Sequence, residues 1–152
     1  MKIILATDGT KYSDAAVEVL NKINLGDSDE VKIVSVVELA VPLAVDVYGG
    51  YLPDTTELEK IAKENAARIL SEAVERAKAI LGSKGVAVTT EILFGSPESR
   101  IVETAEETQA DLIIMGSHGY KTWERMLLGS VSNSVVHHAP CSVIVVRMDT
   151  KK

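Results

Sequence analysis

The sequence is poor in cysteine, in aromatic residues and in positive charge. Its single cysteine, Cys141, excludes an intrachain disulfide and suggests no cysteine-based metal site. Aromatic residues make up only 4% of the 152 residues, so the core must be packed with Val, Ile, Leu and Ala. Sixteen Lys and Arg stand against 22 Asp and Glu, a net charge of −6. Because neither a basic patch nor an aromatic stacking platform is present, no nucleic-acid partner is expected.

No apolar run is long enough to cross a membrane. The N-terminal run at 3–5 meets Asp8 almost at once, which is too short for a signal peptide. Nothing elsewhere approaches the roughly 20 residues that a bilayer span requires. We therefore expect a cytoplasmic protein without a membrane partner. Hydrophobic residues make up 46% and charged residues 25%, which favours one domain over residues 1–152.

Apolar runs and helical periodicities alternate along the chain. Short runs rich in Val and Ile predict strands at 3–7, 31–37, 86–93, 111–115 and 141–147. Apolar residues at helical spacing predict helices at about 12–23, 54–81, 97–109 and 130–138. Residues 38–53 contain proline and glycine and are assigned to an irregular flap or loop. This order predicts an α/β fold, with helices on both faces of an open five-stranded parallel sheet.

The loop after the fourth strand is the candidate phosphate site, because ligands of such sheets bind at the carboxyl ends of the strands. Gly116 and Gly119 permit positive φ angles and a close approach to a ligand. Nine residues later, Gly129 and Ser130 would open a helix whose first N–H groups are unpaired, and Ser130 and Ser132 add hydroxyl donors. Taken alone, these residues fit ordinary turn and cap chemistry better than they fit a phosphate site. The loop also lacks the lysine of a Walker P-loop.

The sequence resembles the universal stress protein family over essentially its whole length. The resemblance is carried by the opening at 3–9, by the block at 111–119 and by the C-terminal block at 129–143. Gly116, Gly119, Gly129 and Ser130 have the spacing of the family's ATP-binding branch. The family resemblance implies a Rossmann-like fold of the adenine nucleotide alpha hydrolase type, with strand order 3-2-1-4-5. It also implies a homodimer through the final strand, Val143–Val146.

The same resemblance implies ATP as the ligand, with Mg²⁺ or Mn²⁺ accompanying the phosphates without dedicated protein ligands. The implied binding residues are Ala6, Thr7, Asp8, Val36, Met115, Gly116, His118, Gly119, Gly129, Ser130, Val131 and Ser132. Val36 would meet the adenine through its main chain. Asp8 would accept hydrogen bonds from the nucleoside or, alternatively, from its own backbone in an Asx turn. His118 would either contact a phosphate or fill the loop.

Three functions follow from this interpretation. The first is a nucleotide-dependent regulatory module of the stress response, the second a slow ATP hydrolase, and the third a dimeric interaction protein that needs no nucleotide. Phosphoryl transfer requires positioned cations and a group that orients water. The phosphate loop offers only Lys121 and Arg125 and no obvious base. We therefore expect a regulatory module, with slow ATPase activity at most.

Overall fold

A computed structural model describes residues 1–38, 55–118 and 128–148 of the chain. Strands and helices alternate within these ranges. The strands are β1 (Lys2–Ala6), β2 (Glu30–Val37), β3 (Ala87–Phe94), β4 (Leu112–Gly116) and β5 (Ser142–Val146). The helices are α1 (Lys11–Glu18), α2 (Thr56–Leu81), α3 (Pro97–Thr108) and α4 (Ser130–His138). All strand pairs are parallel, in the order β3-β2-β1-β4-β5, which confirms the predicted architecture.

The sheet is buried by a pair of helices on each face. Successive side chains of a strand point to opposite faces. Ile3 and Leu5 of β1 therefore pack with α1 and α2, whereas Ile4 of β1 and Ile113 of β4 pack with α3 and α4. This burial on both sides explains why the central strands read as continuous apolar runs.

The first helix is shorter than its apolar spacing predicts. Thr10 caps α1 by accepting a hydrogen bond from the Ser13 backbone N–H, and α1 ends at Glu18. A 3₁₀ turn at Val19–Lys22 then continues the same apolar face and buries Leu20. The predicted helix at 12–23 is therefore an α-helix followed by a tighter turn.

Helix α2 has 26 residues and is the longest of the described helices. Its inner face buries small and branched side chains, including Ala66, Ile69 and Ala73, against the sheet. Its outer face is charged, with an Arg68–Glu72 ion pair and a second pair between Arg76 and Asp14 of α1. Within the described ranges, no helix combines the length and the apolarity needed to cross a membrane.

The strand order places a crevice between β1 and β4. The chain runs outward from β1 to β2 and β3 with α1 and α2 on one face, then returns to β4 and β5 with α3 and α4 on the other. The direction of winding therefore changes between β1 and β4. In open parallel sheets, ligands bind beyond the carboxyl ends of the strands at this point.

Candidate functional site

A cavity of about 490 Å³ opens at the carboxyl ends of β1, β2 and β4. Ala6, Val34 and Met115 from the three strands form its apolar floor. The first turns of α3 and α4 form two of its walls. This volume falls within the range of about 300–1,000 Å³ that is typical of small-molecule sites.

The cavity brings together most of the residues predicted to bind a nucleotide. Those lining it are Ala6, Thr7, Asp8, Val36, Met115, Gly116, His118, Gly129, Ser130, Val131 and Ser132. Gly119 lies outside the described residues, as do Lys121, Arg125 and the predicted flap or loop apart from its first residue, Glu38. The structure gives the positions of the lining residues, and their roles in binding stay predictions.

Six further residues that were not predicted from the sequence also line the cavity. They are Ser13, Val34, Glu38, Pro97, Glu98 and Ile101. Three of these belong to the first two turns of α3. The sequence could have indicated these residues, because every helix that follows a strand of a parallel sheet begins at the carboxyl edge of that sheet. The sequence predicts the helix at about 97–109, but it does not predict the position of this helix beside the site.

The loop between β1 and α1 fixes the carboxylate of Asp8. The backbone N–H and the hydroxyl of Thr10 donate to Oδ1 of Asp8 at 3.0 Å and 2.7 Å. The Asx turn, which is one of the two alternatives predicted for Asp8, is therefore present. It does not exclude a ligand contact, because Asp8 also lines the cavity. Beside it, the buried hydroxyl of Thr7 donates to Oγ of Ser13 at 3.1 Å.

The main chain of Val36 faces a gap in the sheet. The backbone N–H of Thr7 donates to the carbonyl of Val34, so the main-chain groups of Val34 point towards β1. The N–H and C=O of Val36, two residues further on, point to the same side. Strand β1 ends at Ala6, so no β1 residue pairs with Val36. These main-chain groups are therefore placed to meet a ligand at the cavity.

Gly116 is required by packing rather than by a positive φ angle. Its φ is not among the positive values of the described glycines, so the freedom to take a positive φ that the sequence offers is not used at this residue. A Cβ at position 116 would lie 2.7 Å from the backbone carbon of Tyr12 and 2.9 Å from its oxygen. The absence of a side chain thus lets β4 approach the first turn of α1 closely.

Two hydrogen bonds join the halves of the glycine motif. The N–H of Gly129 donates to the carbonyl of Ser117 at 2.8 Å, and the buried hydroxyl of Ser132 donates to the same carbonyl at 2.9 Å. The Ser132 hydroxyl therefore ties Ser117 to the start of α4, in addition to lining the cavity. Gly129 is the N-cap of α4 and supplies no side chain to cap it, and the first turn contains no acidic residue. The first N–H groups of α4 have no acceptor within the helix.

The charges on the cavity wall are mainly negative. Among the described lining residues, the ionisable side chains are those of Asp8, Glu38, Glu98 and His118. Hydrogen bonds from the Ser96 hydroxyl and from its own backbone N–H hold the pKa of Glu98 below its ordinary value, so its carboxylate is ionised at neutral pH. Nδ1 of His118 lies 2.9 Å from Oγ of Ser117.

Comparisons with known proteins identify the family. The model of the universal stress protein family matches residues 1–147. The chain belongs to the universal stress protein family. A universal stress protein of Methanocaldococcus jannaschii is 35% identical over 160 residues, covering 99% of this chain and 84% of that protein.

Solved structures agree with this assignment. The universal stress protein UspA of Lactobacillus plantarum shares the fold, with a TM-score of 0.74 and 24% identity over 97% of both chains. A universal stress protein in complex with cAMP has a TM-score of 0.66 and 26% identity, over 97% of this chain and 96% of the other. The second of these two solved structures therefore holds a nucleotide.

Proposed function

We propose that this universal stress protein binds ATP in the cavity between β1 and β4, and that the bound nucleotide regulates its interactions in a stress response. The observation that carries the proposal is the uncapped start of α4 opening onto an apolar floor within one cavity. The similarity to a universal stress protein in complex with cAMP supports a nucleotide as the ligand class.

Each part of ATP has a complementary part of the cavity. The start of α4 favours the phosphates, because its free N–H groups and the positive end of the helix dipole attract anions. Val34, Val36 and Met115 offer apolar surface to the base, and the main chain of Val36 offers a donor and an acceptor. The carboxylate of Asp8, fixed by Thr10, can accept a hydrogen bond from the ribose.

The described part of the wall favours binding over rapid hydrolysis. Phosphoryl transfer is accelerated by cations that neutralise the charge of the transition state. The described lining residues supply three carboxylates and an imidazole, and no lysine or arginine. Mg²⁺ or Mn²⁺ bound to the phosphates would offset part of the repulsion, as a cation carried by the nucleotide itself.

Calorimetric titration of the nucleotide-stripped full chain with ATP and Mg²⁺ tests the proposal. We expect saturable binding at one site per chain, with a dissociation constant of roughly micromolar order, equivalent to about −8 kcal/mol. ADP and GTP are titrated alongside. Absence of ATP binding by a protein whose circular dichroism shows it to be folded would contradict the proposal.

We also propose that two copies pair through β5. This strand is hydrogen-bonded only to β4 within the described chain, and its Val143–Val146 side chains are half-buried. An edge strand of four β-branched residues is a template for pairing with a second copy.

Val145→Lys is expected to weaken this dimer by at least about tenfold, because it places a charge in a desolvated contact. Sedimentation velocity over a concentration series measures the change. Val88→Lys is the matched control, since Val88 is a half-buried valine of β3 at the opposite edge of the sheet. A Val145→Lys variant that remains dimeric at low micromolar concentration would exclude this interface.

A further inference from the structure

Two helices begin at the cavity, and their first turns have opposite electrostatic character. Helix α3 starts with Pro97 and carries the acid Glu98 in its first turn. Helix α4 starts at Ser130 with neither an acid in its first turn nor a side-chain cap. Both first turns line the same cavity. One end of the site therefore presents a carboxylate, and the other presents uncapped N–H groups.

This difference in charge favours a single orientation of a bound nucleotide in the cavity. Phosphates are attracted to the start of α4 and repelled by the carboxylate of Glu98 at the start of α3. The base must then lie towards α3, over the apolar surface that Val36 and Ile101 provide. Glu98 is half-buried on the wall beside this surface.

An ionised carboxylate can only accept hydrogen bonds. The exocyclic amino group of adenine donates hydrogen bonds, whereas the C6 oxygen of hypoxanthine at the same position only accepts them. We propose that Glu98 is a specificity residue that accepts a hydrogen bond from the adenine amino group and rejects purines with an oxygen at C6. This inference rests on the proposed function, since it concerns which nucleotide the same cavity selects.

The other two carboxylates of the wall are less suited to this role. Asp8 is held by Thr10 at the start of α1, which packs on the opposite face of the sheet from α3. Glu38 is exposed at the end of β2 and has an interaction of its own. Glu98 is half-buried in a regular helix and lines the cavity on the α3 side, with Ile101, where the base is expected to lie.

Titration with ATP and with inosine triphosphate, both with Mg²⁺, tests the inference without any substitution. The two ligands share the ribose and the triphosphate and differ in the base, at the C6 substituent and at the proton that hypoxanthine carries on N1. We expect the wild-type chain to bind ATP about 10- to 100-fold more tightly, which is the range of a hydrogen bond to a charged group. Equal affinities would overturn the role of Glu98 and leave nucleotide binding intact. Binding of neither ligand would overturn both proposals.

Glu98→Gln identifies the residue responsible. Glutamine can accept from an amino group or donate to an oxygen, so we expect the preference for ATP to fall to within about threefold, mainly through tighter binding of inosine triphosphate. Glu107→Gln is the control, because it removes the same charge from an exposed position of α3 that does not line the cavity. It is expected to leave the preference unchanged. An unchanged preference in folded Glu98→Gln, or a loss of preference in Glu38→Gln alone, would overturn the assignment.

Discussion

Replacing Ser130 by glutamate is expected to lower the affinity for ATP by at least about 100-fold, because a carboxylate a few ångströms from a phosphate costs several kcal/mol at a protein surface. Ser130 is the first residue of α4, is exposed and lines the cavity. The same carboxylate lies at the positive end of the helix dipole, so it should stabilise α4 by about 0.3–1 kcal/mol. The variant should therefore lose binding while its thermal midpoint stays the same or rises.

Ser142→Glu provides the matched control for this experiment. Ser142 is the first residue of β5 and is exposed at the opposite end of the sheet from the cavity. Five strand residues separate the two ends by roughly 15 Å, which exceeds the Debye length of about 8–10 Å at physiological salt. Calorimetric titration should give an affinity for Ser142→Glu close to that of the wild type. Tight ATP binding by folded Ser130→Glu would show that the phosphates lie elsewhere.

The architecture could be predicted from the sequence because its signals are local. A strand buried on both faces, such as Ile3-Ile4-Leu5, needs apolar residues at every position, and an amphipathic helix needs them at a period of 3.6. These patterns alternate along this chain. Right-handed crossovers then leave few arrangements of a parallel sheet. The family resemblance narrowed these to the observed strand order.

The candidate site could be predicted only in part, because its walls come from elements far apart in the sequence. The glycine and serine residues around 116 and 130 form a local motif and were selected. Pro97, Glu98 and Ile101 line the cavity as well, yet in the sequence they are an ordinary helix start. Their position at the cavity depends on α3 lying over the same face of the sheet as α4, and that is a tertiary relation.

Gly116 is a second residue whose tertiary contacts could not be predicted from the local sequence. A glycine after a strand and before a phosphate loop suggests a close approach to the ligand. The structure shows that Gly116 lines the cavity and also approaches the backbone of Tyr12 closely. Tyr12 precedes Gly116 by more than a hundred residues in the chain, so only the packing of α1 against β4 reveals the contact. A residue can therefore lie in a binding motif and be constrained by the fold.

Gly116→Ala distinguishes a constraint imposed by packing against Tyr12 from a constraint imposed by the ligand. The nearest atoms to the added Cβ are the backbone carbon, the backbone oxygen and the Cβ of Tyr12, none of which can rotate away. We therefore expect a loss of about 1–3 kcal/mol in the free energy of unfolding. For a chain of this size, this loss corresponds to a fall of roughly 3–10 °C in the thermal midpoint. Urea denaturation with circular dichroism detection measures the free energy.

Gly26→Ala is the control for this substitution, since a Cβ at Gly26 would meet nothing within 4 Å and its φ is not positive. It should be neutral or slightly stabilising, by up to about 1 kcal/mol, through a smaller entropy of the unfolded chain. In Gly116→Ala molecules that remain folded, ATP affinity should stay within about threefold of the wild type, because the added Cβ meets α1 and not the phosphates. Loss of ATP binding with unchanged stability would instead show that Gly116 is kept bare for the ligand.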